Sequence, residues 1–346
     1  MASCPRVITR SRRWLTLCGL ICAVQIVAAQ QPIAQPASPT FDEFLAGLRV
    51  EAAAKGISQA TIEAALTNVE RLPVVTERDK SQPEIVITLD KYLSQRLTPK
   101  VVATAREMAT AHADLLRQVE ETYGIPPNLM IAVWGVESNF GTFTGSRPII
   151  AALATLAFDG RRALFRTELF NALQIIDAGH ITLDQLKGSW AGAMGQPQFM
   201  PSSYLKYAVD FDRDGRADIW TTTADVFGSI AHYLKEYGWQ AGGRWGREVT
   251  ISQAALAKID HGVPMRTGNC RATREMTEFR PMTAWAKLGV TMLGGKALPK
   301  TDPEAAVVRG DKRHFLVFRN YDALLGYNCA NSYAVSIGLI ADRITK

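Results

Sequence analysis

Three stretches of this chain hold residues whose types and spacing could do chemistry. The first is IPPNLMIAVWGVESNFG, Ile125 to Gly141. Apolar residues recur there at helical spacing, at Leu129, Val133, Val136 and Phe140, and Glu137 is the one carboxylate among them. A carboxylic acid among apolar side chains resists ionisation, so its pKa should rise. A glutamate so placed can serve as a general acid near neutral pH. The alternative is a glutamate at the edge of a buried helix, salt-bridged or solvated. The second stretch, Gly188 to Tyr204, reads GSWAGAMGQPQFMPSSY. Its glycines let backbone amides approach a ligand, and Gln196 and Gln198 offer donors and acceptors matched to sugar hydroxyls and N-acetyl groups. Trp190 and Phe199 could pack on sugar faces, or all of this could be a tight helix connection with core aromatics. The third is Asp210-Phe-Asp212-Arg-Asp214-Gly215. It has the acids of positions 1, 3 and 5 and the glycine of position 6 of a calcium loop, and Arg216 could add its carbonyl at position 7. Position 12 is Thr221 rather than glutamate, which leaves an acidic turn without an ion, or one with sodium or weak calcium occupancy, as alternatives.

The elements that must position these residues are mostly helices. Phe41 to Leu66 reads as two helices parted by Lys55-Gly56-Ile57-Ser58, with Gly56 a stop and Ser58 a cap. Arg71 to Val86 holds two prolines and mixed charge and is expected to be extended. Leu89 to Tyr123 reads as helical, split near Leu97-Thr98-Pro99 and ended by Gly124. Pro126 and Pro127 suit the first turn of the Glu137 helix, where no amide donor is missed. Ile149–Phe158 and Arg162–Ala178 read as amphipathic helices, as does Val226–Tyr237. Val249–Ile251, Trp285–Gly289 and His314–Phe318 read as short strands, and Ser332–Thr345 as a closing helix. The fold class is therefore mainly α with a small sheet (α+β). The expected parts are a helical region 41–123, a catalytic core 124–245, a β-containing segment 246–325 and a closing helix 332–345.

Residues 1–29 have the arginine-rich start, apolar middle and Val27-Ala28-Ala29 ending of an export signal. The apolar run is short for a membrane span, and an uncleaved anchor is the alternative. Cys18 and Cys22 do not follow a lipoprotein pattern. Residues 30–40 are rich in Pro, Ala and Gln and read as a linker. The formal charge is +6, and four arginines of that sum lie within residues 1–29, which carry no acid, so the remainder is +2. A basic stripe for nucleic acid is not present. Of five cysteines, Cys270 and Cys329 lie beyond the signal. In an oxidising compartment two such thiols suggest a disulfide rather than a metal site.

VWGVESNFG followed by GSWAGAMGQPQFMPSSY resembles the lytic murein transglycosylase B family (glycoside hydrolase family 103) of the lysozyme-like superfamily. The likeness extends through YAVDFDRDG, SIAHYLKEYGW and YNCANSYAVSIGLIADRI. It implies a lysozyme-like fold and cleavage of the β-1,4 bond between N-acetylmuramic acid and N-acetylglucosamine, leaving a 1,6-anhydro-muramoyl end. Glu137 matches the family's catalytic glutamate, acid first and base second. The resemblance further implies substrate contacts at Tyr92, Arg161, Arg162, Ser189, Gln198, Tyr233, Tyr327 and Asn328. For the cation site it puts Asp225 in the role of the missing glutamate beside Asp210, Asp212, Asp214 and Arg216. Cys329 departs from the family pattern.

The expected protein is thus a periplasmic enzyme on peptidoglycan glycan strands that requires no cofactor, with a structural calcium or sodium site at the acidic loop as an option. With no heptad seam, a monomer is expected; the wall-synthesis machinery is a partner the sequence does not specify. A hydrolytic muramidase and a catalytically silent wall-binding protein are the alternatives.

Overall fold

Capping and proline placement set most helix starts. Thr40 accepts a hydrogen bond from the Glu43 amide at 3.3 Å while the Glu43 carboxylate accepts one from the Thr40 amide at 2.7 Å. This reciprocal cap opens the helix Phe41–Ala54, so Thr40 is a helix cap rather than the end of a linker. Ser58 caps Gln59–Leu66 and Thr98 caps Pro99–Ala111. Gly124, left-handed at φ 73°, ends Ala113–Tyr123. Pro126 and Pro127 then begin Pro127–Ser138, the helix that carries Glu137. The structure is a computed structural model that describes residues 39–80, 87–159 and 162–345. The expected signal and nearly all of the linker lie outside the described residues.

Two expectations about local structure need correction. Arg71–Val86 is not extended where it is described: Pro73–Lys80 is a helix. Pro73 begins it, Val75 is fully buried, and Thr76 donates to Asp159 at 2.8 Å. Trp285 is not in a strand but in the helix Met282–Lys287, behind Pro281. Its buried indole donates to the Ala305 carbonyl at 2.9 Å. The strand comes later, at Thr291–Met292, and the strand Ala306–Arg309 escaped the pattern because it is a continuous buried run rather than an alternating one.

Packing resolves into three apolar clusters. One joins the Glu137 helix to Pro99–Ala111, Ala113–Tyr123, Thr223–Glu236 and the closing helix Asn331–Ile344. A second joins Phe41–Leu66 to Ile149–Asp159, Arg162–Asp177 and the segment Met194–Tyr207. The third lies under the antiparallel sheet, whose order is Thr291–Met292, Gly246–Thr250, His314–Val317, Ala306–Arg309. Strand alternation divides that sheet. Val308, Phe315 and Val317 face the first cluster, whereas Val249, Val307 and Leu316 face the third. Cys270 and Cys329 form a disulfide, with Cα atoms 5.7 Å apart, tying the start of a short helix to the chain just before the closing helix.

Candidate active site

Glu137 stands one residue before the end of its helix, at the seam between the first and second clusters. It is only partly covered, which leaves it open to a ligand, yet protein surrounds its carboxyl closely. Burial pushes its pKa up to about 7, against the opposing pulls of the Tyr333 hydroxyl and the Arg96 charge. No carboxylate of the described residues is among the groups that set this balance. Tyr333, in the closing helix, has a buried hydroxyl that favours the charged form of Glu137 but completes no hydrogen bond of full geometry.

The chain after Glu137 turns sharply. Asn139, Phe140 and Gly141 are all left-handed, at φ 50°, 57° and 77°. For a phenylalanine this costs on the order of 1–3 kcal/mol. The turn is held by Ser138, whose hydroxyl accepts from the Gly141 amide at 3.0 Å and donates to the Trp134 carbonyl at 3.2 Å. The glycines flanking Glu137 are explained by protein, not by a ligand. A Cβ at Gly135 would meet the Phe140 ring at 2.6 Å, and one at Gly141 would meet Gln196 Oε1 at 2.4 Å.

Gln196 locks the second stretch to the first. Its Oε1 accepts from the Trp134 indole at 2.8 Å and its Nε2 donates to the Trp220 carbonyl at 2.8 Å. Gln198, left-handed at φ 52°, spends its amide nitrogen on the carbonyls of Thr144 and Gly195, which leaves Oε1 for a ligand. Ser189 accepts from the amides of Ala191 and Ala193 and so closes its own turn. Phe199 is 2 % exposed and is a core residue rather than a sugar platform. Trp190 is half-buried against the second cluster.

A ladder of aromatics stands beside Glu137. Tyr233 and Tyr327 lie with ring centroids 4.6 Å apart, and Tyr327 and Tyr333 are stacked at 6.3 Å. Burial raises the pKa of all three phenols, and the Glu137 charge raises it further, which places them in one electrostatic neighbourhood. Their hydroxyls do different work. Tyr233 donates to the Gly326 carbonyl at 2.9 Å and Tyr327 to the Pro197 carbonyl at 2.7 Å, so both brace the walls, while Tyr333 remains uncommitted.

The structure therefore brings Glu137, Tyr233 and Tyr327 together. Tyr92 joins from the helix Leu89–Arg96, where its phenol acts on Tyr333 and its ring lies under the Arg96 guanidinium at 5.5 Å. Asn328 is exposed, just beyond Tyr327. Arg161 lies outside the described residues, and Arg162 is placed only as the first residue of its helix. Tyr333 and Arg96 were missed by pattern alone. Arg96 looks like ordinary surface charge, and Tyr333 reads as one more apolar residue of a buried helix.

The acidic loop divides. Asp210, Asp212 and Asp214 can each offer a carboxylate oxygen within 4.8 Å of the others. Asp225 does not join them. It is fully buried, and its oxygens accept from the amides of Phe211 and Asp218 at 2.7 Å each. Asp218 is likewise turned inward, onto the amides of Trp220 and Thr221. The Arg216 carbonyl accepts from the Asp218 amide.

A family profile described as "Transglycosylase SLT domain" matches residues 40–342. Over 154 residues the chain is 40% identical to membrane-bound lytic murein transglycosylase B of Escherichia coli; the match spans 44% of this chain and 42% of that protein's length. The solved structure of SltB3 from Pseudomonas aeruginosa with NAG-anhNAM-pentapeptide superposes with TM-score 0.79 at 36% identity, covering 88% of this chain and 80% of that one. The Escherichia coli lytic transglycosylase SLT35 in complex with calcium gives TM-score 0.72 at 26% identity, covering 89% and 93%. With its profile match running nearly the length of the described residues and a lysozyme-like fold around a single dehydrated glutamate, the chain belongs to the SLT-domain transglycosylase family.

Proposed function

We propose that this protein cleaves the β-1,4 bond between N-acetylmuramic acid and N-acetylglucosamine in peptidoglycan and leaves a 1,6-anhydro-muramoyl end. The observation that carries the reading is Glu137 itself, a carboxyl held near pKa 7 with no acidic partner among the described residues. Ordinary glycosidases pair two carboxylates. One can suffice when the substrate supplies the nucleophile. Glu137 gives its proton to the glycosidic oxygen as the bond from the anomeric carbon breaks. As carboxylate it then takes the proton of the muramoyl C6 hydroxyl while that oxygen bonds to the anomeric carbon. The proton returns to where it began, and no water enters. A group with pKa near the working pH suits both halves. Tyr333 stands where it can steady the carboxylate between them, and Gln198 Oε1 offers an acceptor to the sugar. The anhydro-sugar ligand of the similar SltB3 structure supports the same product.

Digestion of purified peptidoglycan followed by mass spectrometry tests this. Anhydro fragments, lighter by one water than hydrolysed ones, are expected; hydrolysed fragments would make the protein a muramidase, and none would make it a binding protein.

The acidic loop holds a calcium ion in this reading, on Asp210, Asp212 and Asp214. Their clustering fits a hard cation bound by oxygen, and a relative was solved with calcium. Arg216 offers its carbonyl, and Asp225 braces the loop from behind. The site of action is the periplasm, reached through the signal at residues 1–29. The similar protein from Escherichia coli is membrane-bound, and no helix among the described residues is long and apolar enough to cross a membrane.

A further inference from the structure

A groove of about 650 Å³ runs between the C-terminal half of the closing helix and the sheet. Five basic and two acidic side chains line it. Most of these are already matched. Arg313 makes two hydrogen bonds to Glu248, at 2.7 and 2.6 Å, and Arg247 meets Asp302 at 2.5 Å. Arg343 donates to the Leu97 carbonyl at 3.2 Å. Arg244 and Lys296 are different: both are exposed, and neither pairs with any described acid. The Arg247 side chain is only 10% exposed; burial lowers its pKa, and so to a smaller extent does the charge of Arg244, while Asp302 and Asp342 pull the other way. Leu293, 54% exposed, adds an apolar lip. With five basic and two acidic side chains in its lining, Asp342 included, the groove carries an excess of positive charge that favours an anion, in a protein whose net charge beyond residue 29 is small.

We infer that this groove is a second docking site for peptidoglycan, taking the free carboxylates of its peptide stems. The inference rests on the proposed activity for the identity of the polymer, not for the charge of the groove. The closing helix links the two places. Leu339 and Arg343 follow Tyr333 by six and ten residues, roughly 9 and 15 Å along the helix axis. In this proposal a polymer engaged at Glu137 follows the closing helix, so that a neighbouring stem meets the groove. Such a contact strengthens binding of the polymer and leaves the chemistry on a short fragment alone.

The test uses the chain without residues 1–29, made inactive by Glu137→Gln, and measures co-sedimentation with intact peptidoglycan across a salt series. The double variant Arg244→Glu/Lys296→Glu should bind about tenfold more weakly and with a shallower salt dependence, since each exposed charge contributes a modest, screened amount. Peptidoglycan stripped of its peptides by an amidase should bind both proteins alike. With Glu137 restored, the double variant should turn over a peptide-free tetrasaccharide at the parent rate. Unchanged binding to intact peptidoglycan would overturn the inference, as would an equal loss on the stripped polymer. Loss of binding to anionic phospholipid vesicles, with peptidoglycan binding intact, would assign the groove to a membrane and overturn it too. A parent enzyme that releases no anhydro product would sink the proposed activity, while the sedimentation result would still report on the groove.

Discussion

Glu137 and the loop Asp210–Asp214 present the same functional group in opposite settings. Glu137 has no acidic partner among the described residues, is closely surrounded, and is pushed up to about 7 by burial. The loop crowds three carboxylates at its surface, and Asp210 and Asp214 accept amide bonds from Gly215 and Arg216 at 2.8 and 2.9 Å. The loop carboxylates meet amide donors and solvent, whereas at Glu137 protein packing disfavours the charged form. Isolation suits the proton carrier proposed for Glu137, and crowding in reach of water suits the cation site proposed for the loop. Asp225 is a third case. Burial raises its pKa, yet two amide donors hold it in a bracing role.

The sharpest way to break this comparison is Glu137→Gln. Turnover of peptidoglycan should fall by at least 10²–10⁴, because the amide can neither give nor recover the proton. Near-full activity in product analysis would remove Glu137 from the mechanism.

Calcium addresses the other half. At a concentration about 100-fold above its dissociation constant it should stabilise the fold by about 2.7 kcal/mol and raise Tm. Asp210→Asn with Asp214→Asn should abolish that rise in a thermal melt. A Tm that ignores both calcium and chelator would leave the loop as an ordinary acidic turn.

The raised pKa also has a stability cost of definite sign. Between the unfolded value of 4.5 and the folded value of about 7, the folded state binds the Glu137 proton more tightly. Stability from this group is therefore full below pH 4.5 and declines as pH rises through that window. Glu137→Gln should be more stable than the parent at pH 8, by on the order of 1–3 kcal/mol after allowance for partial exposure, and equal to it at pH 4. Denaturant titrations at the two pH values decide it; equal stability at pH 8 would mean the carboxyl is solvated.

Tyr333→Phe should have the smallest effect. Its hydroxyl favours the charged carboxylate, so removing it should move the alkaline limb of the pH–rate profile upward, by a few tenths of a unit to one unit. A downward move would reverse the role given to that hydroxyl.

How much of this was legible in the sequence depended on whether the signal was local. The Ser58 cap, the Gly124 stop and the paired prolines at 126 and 127 are local rules, and each helix began or ended there. Glu137 stood out because one carboxylate broke an apolar period. The disulfide followed from there being two thiols beyond residue 29. What failed was nonlocal. Trp285 was read as a strand residue because its indole finds Ala305 only across the fold. Phe199 resembled a sugar platform until its neighbours covered it. That Asp225 braces the loop through the amides of Phe211 and Asp218 was likewise not legible, because only the folded chain brings those amides near. The uncommitted hydroxyl of Tyr333 depends on a helix that arrives almost 200 residues after Glu137.

Tyr327 packs against both the first and the second apolar clusters, and its hydroxyl is fastened to Pro197. The two halves of the molecule therefore share a residue at the very place where the substrate would lie. Neither can melt on its own without uncovering a buried phenol and breaking its hydrogen bond. Such a rivet makes unfolding cooperative: the slowly exchanging amides on the two sides of the seam should share one opening free energy, so that the working geometry is lost only when the whole fold is.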